Sequence, residues 1–116
     1  MAELIIEGTD LVVRLSTVEK LEAVHGDVRV PVTSIKTVEV LDDALGAIHG
    51  LRVGTGIPGS PAIGTFTSRT AKIFGVVHHD TPRGVRVTLA DDHFDEIVVG
   101  GPDPEAVAAS LRQAGT

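Results

Sequence analysis

The chain has no cysteine, tryptophan or tyrosine, and its three phenylalanines are Phe66, Phe74 and Phe94. Without thiols there is neither a disulfide framework nor a thiolate-held zinc. A small domain that dispenses with disulfides suits the cytoplasm, which is the expected location. With so few aromatic rings the core has to be aliphatic, and there are no platforms on which single-stranded bases could stack. No apolar run approaches the ~20 residues that span a bilayer. The opening Met1–Glu7 lacks the basic start and long apolar run of a secretory leader, so no membrane insertion is expected. Basic clusters are also missing: ten Lys and Arg are scattered among 16 Asp and Glu, giving a net charge of −6. Such a surface repels phosphate backbones and anionic lipid, which argues against a nucleic-acid partner. There is no internal repeat, linker or low-complexity stretch, and 116 residues make one domain (1–116) with a real core.

What the chain does have is valine at every second position. At 42% hydrophobic and 22% charged it is a folded rather than a disordered sequence, and β-branched residues favour strands. Leu4-Ile5-Ile6 and Leu11–Leu15 flank Gly8-Thr9-Asp10, a hairpin signal. Leu11, Val13 and Leu15 share one face and Arg14 the other. Ser16 and Glu19 have capping-box spacing, and Val18, Leu21 and Val24 follow at helical intervals up to Gly26. Val28, Val30 and Val32 alternate with Arg29 and Pro31. The proline marks a strand at an edge or at its end. Ile35–Leu41 alternates again, and Ala44–Ile48 offers a helical turn after Asp42-Asp43. Gly64–Phe66, Ala71–Val77, Val85–Leu89 and Phe94–Val99 read as further strands, the last two as a hairpin. Asp103 caps a closing helix with Pro104 in its first turn and an apolar stripe of Val107, Leu111 and Ala114.

These strand candidates, about seven, predict a mainly β (α+β) fold: a small curled antiparallel sheet or split barrel sealed by a C-terminal amphipathic helix. With its final hairpin Val85–Leu89/Phe94–Val99 and the closing helix from Pro102 to Leu111, the chain resembles the bacterial pleckstrin-homology-like (PH-like) domains over nearly its whole length. The helix near residues 17–24 is an insertion relative to that pattern. The resemblance implies a PH-like scaffold that binds rather than catalyses, with self-association common among bacterial relatives. In that family, basic residues around the first hairpin loop grip lipid phosphates. Here that loop is Gly8-Thr9-Asp10, without Lys or Arg, so phosphoinositide binding is not expected.

Four constellations carry chemistry at the level of letters. The first is Gly54-Thr55-Gly56-Ile57-Pro58-Gly59, a literal G-x-G-x-x-G inside the glycine-rich stretch 50–64. A dinucleotide site requires that turn to open a helix, and Pro58, Pro61 and the lack of a helical stripe oppose one. As a ligand loop the stretch offers Arg52 as a cation, with Gly54, Thr55, Gly56 and Gly59 as backbone donors; as a structural loop it is a connection between strand groups. The second is His78-His79-Asp80 with His93, a conceivable metal set weighed against a polar strand end. The third, Asp91, Asp92, Asp95 and Glu96, reads as turn chemistry before acid–base work. The fourth is a Ser–His–Asp triad, for which no serine sits in a nucleophile elbow.

The sequence therefore predicts a non-enzymatic module, with no catalytic residue, metal or cofactor. It would recognise a peptide, a protein partner or its own copy through a sheet edge or the groove beside the terminal helix. The alternative is a small-ligand-binding protein or small enzyme that uses the 50–64 loop.

Overall fold

The computed structural model describes residues 2–23, 26–48, 51–53, 62–69, 71–78, 80–90 and 92–114, with backbone only at 21–23, 51–53 and 62. The chain starts as a hairpin. Strand β1 (Glu3–Glu7) pairs antiparallel with β2 (Asp10–Arg14) across the two-residue loop Gly8-Thr9. Gly8 has φ +63°, the conformation that tight hairpin loops assign to glycine. Helix α1 (Thr17–Ala23) leads to β3 (Val28–Pro31), which pairs with β2 to complete a three-stranded sheet of order β1-β2-β3. The strand ends at Pro31, at the sheet's edge, as the missing donor requires. Val32 belongs to a 3₁₀ turn, Val32–Ser34, rather than to the strand.

The second sheet comes next in the chain. It contains β4 (Ile35–Leu41), β5 (Leu51–Val53), β6 (Ala62–Thr67), β7 (Lys72–Val77), β8 (Gly84–Leu89) and β9 (Glu96–Gly100), in the order β4-β8-β9-β7-β6-β5. A short helix, α2 (Ala44–Ala47), sits between β4 and β5 with the Asp43 side chain accepting from the Gly46 amide. Helix α3 (Pro104–Ala114) ends the fold, with Asp103 Oδ1 accepting from the Ala106 amide at 3.3 Å.

The architecture is mainly β with a C-terminal helix, and it corrects the expectation in three ways. Nine strands are present among the described residues instead of about seven. They form two sheets and no closed barrel. One pair, β7–β9, is parallel. The parallel pair arises because β9 inserts between β7 and its sequence neighbour β8, so residues 78–83 must cross over the end of β9. Two glycines permit the crossing. A Cβ on Gly84 would collide with the Val99 carbonyl oxygen, and one on Gly100 would stand 2.8 Å from that of Thr81.

The two sheets share one core. Leu11, Val13, Val28 and Val30 of the small sheet pack with Val38, Phe74, Val85, Val87, Ile97 and Val99 of the large one, and Ala108 and Leu111 of α3 close the cluster. A second cluster lies on the other face of the large sheet, where Phe66, Ile73, Val77 and Val98 meet Ala44. Strands β7 and β9 are thus buried on both faces, which explains their unbroken apolar runs. Each fully buried Val, Leu or Ile contributes roughly 1.5–3 kcal/mol. Exposed ion pairs such as Arg86–Glu39 add at most about 1 kcal/mol each. Aliphatic burial therefore dominates the stability. Among the described residues no helix is long and apolar enough to cross a membrane.

The crossing yields a stability prediction. Gly84→Ala forces a methyl into the Val99 carbonyl and is expected to cost about 2 kcal/mol, as overpacking does. Gly101→Ala, where a Cβ meets nothing within 4 Å, is the control and should leave stability within about 0.5 kcal/mol. Urea unfolding of the two variants checks both values.

Candidate functional site

Sheet edges are where a β protein meets partners or must avoid them. Among the described residues this fold has four, and three are guarded or short. Strand β3 ends in Pro31. Strand β4 is covered by α3, whose Arg112 donates through Nη2 to the Val38 carbonyl at 2.8 Å. Strand β5 has three residues. Strand β1 pairs with β2 on one side and with no described strand on the other, and all five of its residues keep some exposure. It carries neither proline nor lysine, and Ile6 is 37% exposed.

Two clefts open along this strand. The first, of about 440 Å³, is lined by Ala2–Ile5, by Val85 and Val99 of the core, and by the turn from Gly100 to Pro104 with Val107. The second, of about 570 Å³, lies between Leu4–Ile6 and the C-terminal half of α3. They share Leu4 and Ile5, so together they form a trough between β1 and α3. Successive strand residues point to opposite faces. A cleft lined by Glu3, Leu4 and Ile5 in succession therefore abuts the backbone edge of β1 rather than either face. The lining is apolar except for Glu3, Asp103, Ser110 and Gln113.

The start of β1 is fixed by a buried acid. Glu19 and Ser16 form the capping box expected from their spacing: Ser16 N–H donates to Glu19 Oε1 at 2.9 Å, and Glu19 N–H donates to Ser16 Oγ at 3.2 Å. The carboxylate is also 1% exposed, and its Oε2 accepts from the Ala2 amide at 3.0 Å and from His78 Nε2 at 2.7 Å. Burial works to raise its pKa. The hydrogen bonds from His78 and Ser16 outweigh that and hold the carboxyl below its usual range. An ionised carboxylate only accepts, so the His78 proton lies on Nε2. Of the expected α1 stripe, Val18 points outward, while the side chain of Leu21 and the whole of Val24 lie outside the described residues. Val18 is 62% exposed because Glu19, one residue or about 100° further round the helix, takes the inner position.

The other candidates separate. Arg52 lies in β5, its backbone paired with Phe66. Gly54, Thr55, Gly56 and Gly59 lie outside the described residues, as does His79. The 50–64 stretch is not one loop, since its two ends are strands β5 and β6. The next described element after the glycine motif is β6, which starts at Ala62, where a dinucleotide site would require a helix. His93 is at the opposite end of β7 from His78. Its Nε2 lies 2.9 Å from Lys72 Nζ, and six extended residues separate Lys72 from His78, roughly 20 Å. Among the described residues no group of three or more His, Asp or Glu is placed to hold a metal. Asp95 Oδ2 accepts from the Lys72 amide at 2.8 Å and Asp92 Oδ1 from the His93 amide at 2.7 Å, both backbone duties. No described serine hydroxyl bonds to a described histidine; Ser16 caps α1, and Ser68 bonds the Ala71 backbone.

Sequence reasoning placed the capping box but missed the burial of Glu19 and its pairing with His78. The two are 59 positions apart, and no local pattern links them. No protein-family model matches the chain, and comparison with curated proteins and with solved structures gives no significant match.

Loss of the Glu19 carboxylate strands two backbone donors and a histidine. Glu19→Ala is expected to cost about 3 kcal/mol. Because the folded carboxyl is held below its unfolded value, its contribution is complete at neutral pH and fades as pH falls through and below the ordinary carboxylate range. The gap in Tm between the native chain and Glu19→Gln should narrow on acidification, as thermal melts at stepped pH would show.

Proposed function

We propose that the chain is a non-enzymatic binding module on a PH-like scaffold, and that the free edge of β1 with the trough beside α3 receives an extended segment of a protein, a peptide or a second copy. The observation that carries this reading is the trough itself. A strand edge with no described partner borders two apolar clefts, the first of which reaches down to Val85 and Val99. An added strand would find backbone donors and acceptors on β1 and pockets for its alternate side chains, the two requirements of β-augmentation. A strand the length of β1 covers about 17 Å, enough for roughly five residues of partner. The PH-like comparison is supported by a β shell carrying a C-terminal helix. The parallel β7–β9 pair departs from a simple antiparallel meander.

Nothing in the described residues gathers a nucleophile, a base and a polarising group in the trough. Its polar side chains are two carboxylates, a hydroxyl and an amide spread along the rim. That chemistry suits recognition.

Blocking the trough tests the reading. Gly101 lines it and has open space where a side chain would begin, so Gly101→Phe should fill the mouth while the fold stays intact. Labelled short peptides that alternate valine with lysine, serine or glutamate are titrated by fluorescence anisotropy, and self-association is followed by light scattering. At least one of these associations is expected in the native chain and should weaken at least ten-fold in Gly101→Phe. Unchanged association in a folded Gly101→Phe chain would remove the trough as the site.

A further inference from the structure

The rim of the trough has one sign of charge. Its charged lining residues are Glu3 and Asp103, both exposed, and among the described residues neither cleft is lined by Lys or Arg. The acids nearby are not alike. Glu7, at the other end of β1, is met by Arg14 at 3.4 Å and by Arg29 at 3.0 Å, and Arg29 also holds Asp10. Arg83 takes up Glu105 on α3 and Asp42. Glu3 has no ion-pair partner among the described residues. Asp103 accepts only a backbone bond there, from the Ala106 amide. Two acids without an ion-pair partner among the described residues thus stand at the rim of the 440 Å³ cleft, beside its apolar lining.

This pattern bears on what fills the trough. A second copy would bring the same acids. Two β1 strands paired antiparallel about Ile5 would set Glu3 of each against Glu7 of the other, where Arg14 and Arg29 are already engaged by Glu7 and Asp10, so the pairing brings Glu3 no cation of its own. The chain as a whole carries −6, which adds to the repulsion between copies.

Resting on the reading of the trough as a strand-receiving site, we propose that its occupant is an extended segment of another protein in which apolar residues alternate with Lys or Arg. The apolar side chains enter the cleft over Val85, Val99 and Val107. The cations stand at the Glu3 and Asp103 rim. Charge at the rim selects the partner and speeds its approach, while the backbone edge and the apolar floor hold it. The same acids act against edge-to-edge pairing of the chain with itself, a use of charge common on exposed edge strands.

The test compares peptides of one length, the valine/lysine and valine/glutamate alternations, by fluorescence anisotropy at low and at physiological salt. The lysine peptide is expected to bind at least ten-fold more tightly, with its advantage shrinking as salt rises. Glu3→Gln combined with Asp103→Asn keeps a capping residue at the start of α3. It should weaken the lysine peptide three- to ten-fold and leave the Tm unchanged. Glu3→Lys should bring the glutamate peptide closer to parity. Equal binding of both peptides, blocked by Gly101→Phe, would overturn the charge inference and keep the trough. A concentration-dependent dimer disrupted by Gly101→Phe, with neither peptide bound, would replace the partner segment by a second copy. Binding of neither peptide by a chain that stays monomeric would overturn both readings.

Discussion

The buried carboxylate of Glu19 ties together parts of the chain that share no local sequence. It receives the Ala2 amide just before β1, the Ser16 amide at the start of α1, and the His78 ring at the end of β7. An ionised group at 1% exposure is tolerated only when its oxygens are occupied, so the three partners are a condition of the fold rather than an addition to it. The consequence reaches the trough. Ala2 lines the 440 Å³ cleft, and its anchorage to Glu19 holds the chain where β1 begins, beside α3. Fold and site are linked through one side chain.

The second constraint is the crossing of residues 78–83 over the end of β9. Gly84 and Gly100 let two backbone paths pass without side chains, which places β9 between β7 and β8. The turn at the end of β9, Gly100 to Asp103, is one wall of the 440 Å³ cleft, which Val85 and Val99 beside the crossing also line. Helix α3 then starts where Asp103 caps it and runs along β4, β8 and β1. Its buried residues Pro104, Ala108 and Leu111 face the core, while Arg112 covers the β4 edge. The helix protects one sheet edge and frames another. That difference between β4 and β1 is why β1 is the edge proposed to receive a partner.

Much of the fold was legible because it obeys local rules. The Val28/Val30 alternation, the Ile35–Leu41 strand, the Ser16–Glu19 box and the Asp103 cap follow local patterns and stand where those put them, while the β8–β9 hairpin forms with its second strand at Glu96–Gly100 rather than Phe94–Val99. What stayed hidden depends on contacts between distant segments. The parallel pairing of β7 with β9 is one. Another is Val12, which alternation turns outward. It is 3% exposed, with Ile5 and Arg29 set on either side of it by the register. Val18 of α1 is exposed, and the neighbouring Glu19, a carboxylate with three donors, holds the interior position instead. The groove beside the terminal helix was expected in general terms, but its acidic rim joins Glu3 to Asp103 across a hundred positions and no periodicity reveals it. The glycine-rich letters at 54–59 resemble a fingerprint but lie outside the described residues, and the next described element is the strand β6 rather than a helix.

Amide hydrogen exchange along β1 tests the central claim most directly. In an antiparallel edge strand, alternate amides face the neighbour and the others face outward. In the free chain, β1 should therefore show slow and fast exchange at alternate positions from Glu3 to Glu7. On addition of the valine/lysine peptide, the fast positions should slow to match their neighbours, with smaller changes elsewhere. Protection that gathers on β4 or β5 and leaves the fast amides of β1 untouched would contradict the account.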